Sequence, residues 1–573
     1  MLTLLESLSN ELIYEIFEYL HLHHIFQAFY DLNERFQYLS INSNLPIKVD
    51  IASMSLATCE QFFEHIVSQH AARVKSLRLS SPFMLDTYKF LFPLMTNFTQ
   101  LESLSLTITD GEYVKQMLDQ LFSLPSLSSL TITSTVYISN KIYPQLFRLP
   151  TLKSCRMLLK TYDHMTPNRT KEFSSIEHLV VNQRISFEEL DALVSYVPNV
   201  HHLSIHHLSI YQENRRARSS FTLNYLTKIS LKMNDVKFSN FESIVVDYFR
   251  HVQILHLLAQ SERLYENGTD YLDTDRWKRL ISMYIPNLRT FRFQHVNHNL
   301  YSETDRQIYQ ACVVSFDSVF WTEHNWFFEW QYHPQSRTAI FFSRNSKRKH
   351  HDQTKNMWSS MNDINQDPIH HIYLHDLTPV QQYAGEFPHV NELTFLETFY
   401  VPDDSLGLSL QLILPVIQLT KLTINCLDFP FEQLLELFRF ASNVHTLQLF
   451  SLALDETDSI CNQQNGLVRL ASQTNRVVKV IIEKTIRLEQ LKLLTILFPR
   501  LENLLIDLYR QDLKTIAEYL WSKSNNHTRY LYLLCIAHER ENLLNELNFL
   551  IKSEKLLSRY ALKVIEKKLY VWW

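Results

Sequence analysis

The chain has 573 residues, with 55 Lys or Arg against 60 Asp or Glu and a net charge of −5. Hydrophobic residues at 46% and charged residues at 20% are those of a core-forming protein and exclude a disordered one, while the near-neutral balance gives no reason to expect nucleic acid or a membrane as partner. Only five glycines occur (Gly111, Gly268, Gly385, Gly407, Gly466), too few and too scattered for the loops that cradle phosphates or shape a nucleophile elbow, so nucleotide-binding chemistry is excluded.

The predicted elements begin with three short helices over residues 1–45. Their apolar positions are Leu8, Leu12, Ile13, Ile16, Phe17 and Leu20, then Leu22, Ile25, Phe26 and Phe29, then Leu32, Phe36 and Leu39. So small a core cannot hide that much apolar surface, and part of it should face a partner. The first residues carry acids and no basic stretch, which speaks against a secretory leader. The string Leu-Ser-Asn-Glu-Leu-Ile-Tyr-Glu-Ile-Phe-Glu-Tyr-Leu at 8–20, with Ile25, Arg35 and Phe36 after it, resembles the F-box motif. Ser9 stands where that family usually has proline; proline presets a helix start, and serine keeps the start signal through its hydroxyl. The resemblance implies that Leu8, Glu11, Leu12, Ile16, Phe17, Leu20 and Ile25 dock a Skp-type adaptor and, through it, a cullin scaffold. The alternative is a plain helical cap on the segments that follow.

From residue 74 an apolar-x-x-apolar-x-apolar pattern recurs. Its first positions are Val74, Leu101, Leu127, Leu152, Ile176, Val200, Leu226, Val252 and Leu288, then Ile369, Val390, Leu419, Val444, Val477 and Leu501, with a degenerate copy at Thr528, Leu531 and Leu533. Amphipathic segments such as 113–122, 187–196 and 431–440 separate the copies and read as helices. One strand plus one helix per copy predicts an α/β fold in which neighbours stack to bury what a single copy cannot. The pattern resembles the leucine-rich repeat family over most of residues 74 to 533, which implies a curved solenoid. That family's asparagine or cysteine ladder is nearly absent here, with only Asn234 in register, so irregular turns are expected. An α-helical solenoid is the alternative. The expected domains are 1–45, a first repeat block 46–293, degenerate repeats with an aromatic and polar insertion 294–368, a second block 369–534, and a helical cap 535–573 built as a helix pair.

Within 294–368 lies an aromatic knot at 319–333, whose Trp321, Trp326 and Trp330 are expected as local core rather than a partner patch. The following polar tract, with Lys347, Arg348 and Lys349, reads as a solvated loop, the alternative being a nuclear-import signal.

No enzyme signature accompanies these elements. The six cysteines form no CxxC pair, as expected of a cytoplasmic chain, and the longest apolar stretch, 406–419, falls short of the ~18 residues that span a bilayer. His202 and His206 share a strand face, but no cysteine or carboxylate joins them at ligand spacing; Cys535 and His538 have no group to orient a base. Neither a metal nor another cofactor is expected. What the copies offer is a concave face, lined by residues two, four and six after each first apolar position. Over the first nine copies these 27 positions hold Arg78, Arg156, Lys228, Lys232 and Arg292, with His178, His202, His206 and His256, and no Asp or Glu. The middle of this face, from Arg156 to Arg292, is the candidate site for an acidic or phosphorylated segment of a protein substrate, because guanidinium groups pair bidentately with carboxylate and phosphate. An F-box ahead of leucine-rich repeats resembles the substrate receptors of SCF-type cullin-RING ubiquitin ligases, and implies that function. The alternative is a non-catalytic repeat scaffold with a decayed F-box.

Overall fold

The computed structural model describes residues 5–20, 22–30, 32–42, 47–51, 54, 56–79, 91–109, 111, 114–161, 173–209, 222–261, 270–298, 303–333, 337–344, 357–359, 371–374, 389–396, 406–411, 414–426, 429–451, 466–522, 525–537 and 542–573. The chain divides into two compact units, residues 1–348 and 349–573, each built on its own sheet.

The first unit opens with helices α1 (Asn10–Glu18), α2 (Leu22–Ile25, continued by a π turn through Tyr30) and α3 (Glu34–Asn42). Ile13, Phe17, Ile25, Phe36 and Leu39 close a core of their own, with Phe29 packed edge-on against Phe17 and tilted against Phe36 at ring distances of 5.1 and 5.4 Å. Phe26 also reaches Phe62 beyond the module, so the three helices rest on the start of the sheet.

Among the described residues that sheet has twelve strands: β1 (Ile47–Asp50), β2 (Val74–Leu79), β3 (Ser103–Ile108), β4 (Ser129–Ile138), β5 (Ser154–Thr161), β6 (His178–Ser186), β7 (His202–Ser209), β8 (Lys228–Asn234), β9 (Ile254–Ser261), β10 (Thr290–Asn297), β11 (Phe327–His333) and β12 (Thr338–Arg344). The first ten lie side by side in sequence order and pair in parallel. Every motif copy supplies one strand, and from β3 to β10 the strand starts two residues after the first apolar position. The alternating apolar residues of the parallel strands, such as Leu104 and Leu106 of β3 or Phe291 and Phe293 of β10, are buried, and helices such as Phe187–Tyr196 and Phe238–Tyr248 close over them. Trp277 shows the packing: its ring lies 4.9 Å from Phe238 and 5.0 Å from Phe291, so helix and strand meet over one indole.

The turns are stitched by backbone instead of an asparagine ladder. The Glu177 carbonyl accepts the His201 and His202 N–H groups at 2.8 and 3.0 Å, and the His201 carbonyl accepts those of Thr227 and Lys228 at 3.0 Å each. The same doubled acceptance recurs along both sheets, so one carbonyl per copy satisfies two donors of the next. Side chains at this position add ion pairs, Lys75 with Glu102 at 2.9 Å and Lys153 with Glu177 at 3.2 Å.

Residues 294–344 depart from the expected degenerate repeats. After the helix Glu303–Ser315 the chain forms an antiparallel hairpin, and β12 pairs antiparallel with β10 to end the parallel run. The aromatic knot is the core of this cap: Trp321 and Trp326 are buried, Phe316 meets Phe328 at 4.5 Å, and Trp330, partly covered, stacks on Tyr309 at 5.8 Å.

Among the described residues the second unit has ten strands: β13 (Met357–Ser359), β14 (His371–Leu374), β15 (Glu392–Phe395), β16 (Lys421–Ile424), β17 (Thr446–Leu449), β18 (Lys479–Ile486), β19 (Asn503–Leu508), β20 (Leu533–Ile536), β21 (Ala561–Ile565) and β22 (Lys568–Trp572). Strands β14 to β20 are parallel and in sequence order; β13 is antiparallel at one edge. The helix pair expected over 535–573 is replaced by one helix, Leu543–Ser553, and the hairpin β21–β22, which extends the sheet beyond β20. Tyr570, Val571 and Trp572 of the closing Tyr-Val-Trp-Trp thus belong to an antiparallel strand that covers the last parallel edge, with Val571 and Trp572 buried. No helix among the described residues is long and apolar enough to cross a membrane.

Candidate functional site

Two surfaces carry the residues singled out in the sequence. On the N-terminal module, α1 leaves Glu11 and Leu12 exposed, Leu12 by 47%, and Tyr19 just beyond it by 89%. Leu32 and Tyr38 add further exposed apolar area. Leu8, Ile16 and Leu20 are half-buried. Phe17 and Ile25, expected on the docking face, are only 2% and 6% exposed: they form the module's own core and are corrected to structural residues.

The start of α1 also differs from expectation. Ser9 takes the extended cap conformation, but its hydroxyl accepts no cap hydrogen bond. Arg35 on α3 fixes the segment instead, donating to the Glu6 and Leu8 carbonyls at 2.6 Å each and twice to Asn10 Oδ1. The Glu11 carboxyl is held below its ordinary value by its own backbone N–H first and by the Ser9 hydroxyl next.

The second surface is the face of the twelve-stranded sheet opposite the buried leucines. Strand register aligns its residues into rows. One row runs Arg78, Ser105, Thr131, Arg156, Val180, Ser204, Ser230, His256, Arg292 on successive strands from β2 to β10. A second runs from Ser154 through His178, His202 and Lys228 to Ile254 and Thr290. All eight candidate binding residues therefore share one face, but not one site. Arg156 and Arg292 stand five strands apart, roughly 24 Å at ~4.8 Å per strand. Arg156 and His178 are exposed, whereas His256 is 4% exposed and is corrected from surface ligand to buried residue. Arg78 pairs with Asp50 of β1 at 3.7 Å.

What the register does bring together is a compact array on β7 and β8. His202, Ser204 and His206 line one strand; Lys228, Ser230 and Lys232 line the next. Here the burial pattern changes. Strand β3 alternates buried and half-buried residues, while in β7 and β8 the central serines on the open face are fully buried too. A register slip after Ile205 sets two residues, His206 and His207, against Lys232 alone, and a slip in β6 brings Arg184 opposite His207. Sequence spacing could not place Arg184 and His207 here, because a bulge breaks the period of two that the spacing assumes.

The array is electropositive. Burial lowers the Lys232 ammonium, and burial followed by repulsion from Arg292 lowers that of Lys228. Burial, then Lys232 and Arg184, holds the His207 imidazolium below its usual value; burial alone does so for the Arg292 guanidinium. No Asp or Glu occurs in β5 to β10. Chemically, such a face can hold an anion.

Elsewhere, the Cys535 thiol is buried and pushed up to about 11 by that burial. His538 lies outside the described residues, as do Lys347, Arg348 and Lys349. On the second sheet Glu392 bridges Lys421 at 3.0 Å and His371 at 3.6 Å, a network the sequence did not suggest. No family model matches this chain, and no curated protein sequence matches it.

Proposed function

We propose that this chain is the substrate receptor of an SCF-type cullin-RING ubiquitin ligase. In this reading residues 1–45 are an F-box that docks a Skp-type adaptor through the exposed side of α1, and the strand–helix copies are leucine-rich repeats. Their open sheet face holds an acidic or phosphorylated segment of a protein substrate. The observation that carries the proposal is a three-helix module with its own core and outward Leu12 and Tyr19, set directly before a parallel sheet built one strand per motif copy. Arg35 supports it by fixing the start of α1 where the family's proline is missing. The receptor itself performs no bond chemistry. It raises the effective concentration of substrate beside a ligase whose catalytic groups lie in other subunits.

A second reading, a repeat scaffold in which the module is only a cap, is favoured by the contact of Phe26 with Phe62 and by the burial of Phe17 and Ile25. Co-expression of the full chain with a Skp adaptor separates the two. The receptor reading expects the adaptor to co-purify with wild type and to be lost from a folded Leu12→Asp/Ile16→Asp variant. A folded wild type that retains no adaptor leaves the scaffold.

A further inference from the structure

We propose that Ser204 and Ser230 form the seat of a phosphate ester, so that the substrate segment held on this face is a phosphorylated one. The inference rests on the reading of that face as an anion-holding surface and narrows it to one group.

Ser204 and Ser230 are direct partners across β7 and β8. Both residues are 0% exposed, and neither Oγ has a hydrogen-bond partner among the described residues. Leu203, Ile205, Ile229 and Leu231 fill the opposite, helix-covered side, so strand alternation aims the two hydroxyls at the open face. Buried hydroxyls are ordinarily satisfied, and two adjacent ones left without partners mark a place built for something else.

The surroundings say what that group is. Lys228 and Lys232 stand two residues to either side of Ser230, and His202 and His206 do the same for Ser204. Lys232 has no carboxylate partner among the described residues. The Lys232 ammonium, held partly out of water beside that of Lys228, favours a ligand of high negative charge. Two neighbouring hydroxyl donors favour one with several acceptor oxygens pointing the same way. A phosphate ester offers three such oxygens and a charge of about −1.5 to −2 near pH 7, where a carboxylate offers two oxygens and one charge. Lys228, Lys232, His202 and His206 are only partly covered, and the lysine stems can swing aside to admit the group. Recruitment would then follow a phosphoryl-transfer reaction on the substrate, carried out before it reaches this chain.

The test uses the purified full-length chain on three immobilised degenerate peptide pools, centred on phosphoserine, serine or glutamate. The phosphoserine pool should be retained about tenfold better than either other pool, as two charge-assisted contacts allow. Ser204→Ala/Ser230→Ala and, separately, Lys228→Gln/Lys232→Gln should lose that preference with an unchanged unfolding temperature, while Lys115→Glu on the exposed side of the helix Val114–Leu121 keeps it. Equal retention of the phosphoserine and glutamate pools, or wild-type preference in both double variants, overturns the phosphate seat and leaves a general anionic face standing. Free phosphoserine that binds as tightly as the pool overturns the protein-borne source. A folded chain that retains no pool while still binding the adaptor overturns both the seat and the anionic-face reading.

Discussion

Arg35 on α3 reaches back to Asn10, the first residue of α1, and donates to its Oδ1 from Nε at 3.0 Å and Nη2 at 2.7 Å. The same guanidinium holds the Glu6 and Leu8 carbonyls, so one side chain fixes the approach to the helix as well as its first turn. A lysine has no planar fork and cannot make these bonds together.

Arg35→Lys should therefore loosen α1 at its start. The expected cost is about 1–2 kcal/mol for the module, reduced from the full value of charged hydrogen bonds because the site is partly solvated. Hydrogen exchange at the amides of Ile13 to Phe17 reads it; exchange unchanged from wild type would show that the fork adds nothing to the helix.

On the proposed receptor reading, the module separates docking from stability. Leu12 is exposed and Phe17 is in the core, one turn and a half away on the same helix. Leu12→Asp should leave the thermal transition in place and remove the adaptor. Phe17→Ala should lower module stability by about 3–5 kcal/mol. Parallel melting and pull-down of the two variants check this, and a Leu12→Asp protein that melts like wild type and still binds adaptor would contradict the assignment.

His295 predicts a pH dependence. It is buried between Tyr271 and Tyr309, and burial holds its imidazolium pKa down to about 3. The unfolded chain, with an ordinary value near ~6.5, takes up a proton below that pH which the folded chain refuses. Stability is thus complete above about pH 6.5 and falls as pH drops toward the folded value, by roughly 2 kcal/mol at pH 5. The drop in unfolding temperature between pH 7 and pH 5 should shrink in His295→Phe. An identical drop in the variant would place the pH sensitivity elsewhere.

The hairpin β21–β22 turns through Glu566 and Lys567, both with positive φ, at 52° and 61°. Two-residue turns of this kind favour Asn-Gly, and neither residue here does. Glu566→Asn/Lys567→Gly should stabilise the second unit by about 1 kcal/mol, read as a rise in its unfolding temperature. A fall would mean that the native side chains make contacts worth more than the backbone relief.

These turns also show where the sequence ceases to be legible. The parallel strands follow directly from the apolar spacing: each copy marks a strand, down to the degenerate one whose Leu531 precedes β20. The antiparallel caps do not, because the Glu566–Lys567 turn lacks the residues that announce it, and because the knot around Trp321 has no period of its own. Strand β1 ahead of Val74 falls outside the repeating pattern because it is short, four residues with only Ile47 and Val49 turned inward. On the candidate face, Lys228, Lys232, His202 and His206 were readable from alternation. Arg184 and His207 were not, since bulges place them, and the burial of His256 depends on neighbours across strands that spacing cannot see.

The most direct test of the account is size-exclusion chromatography with light scattering of the full chain mixed with a Skp adaptor. The account predicts a one-to-one complex for wild type and separate peaks for Leu12→Asp, with both chains melting alike. A folded wild-type chain that elutes free of the adaptor at micromolar concentration would contradict the receptor function.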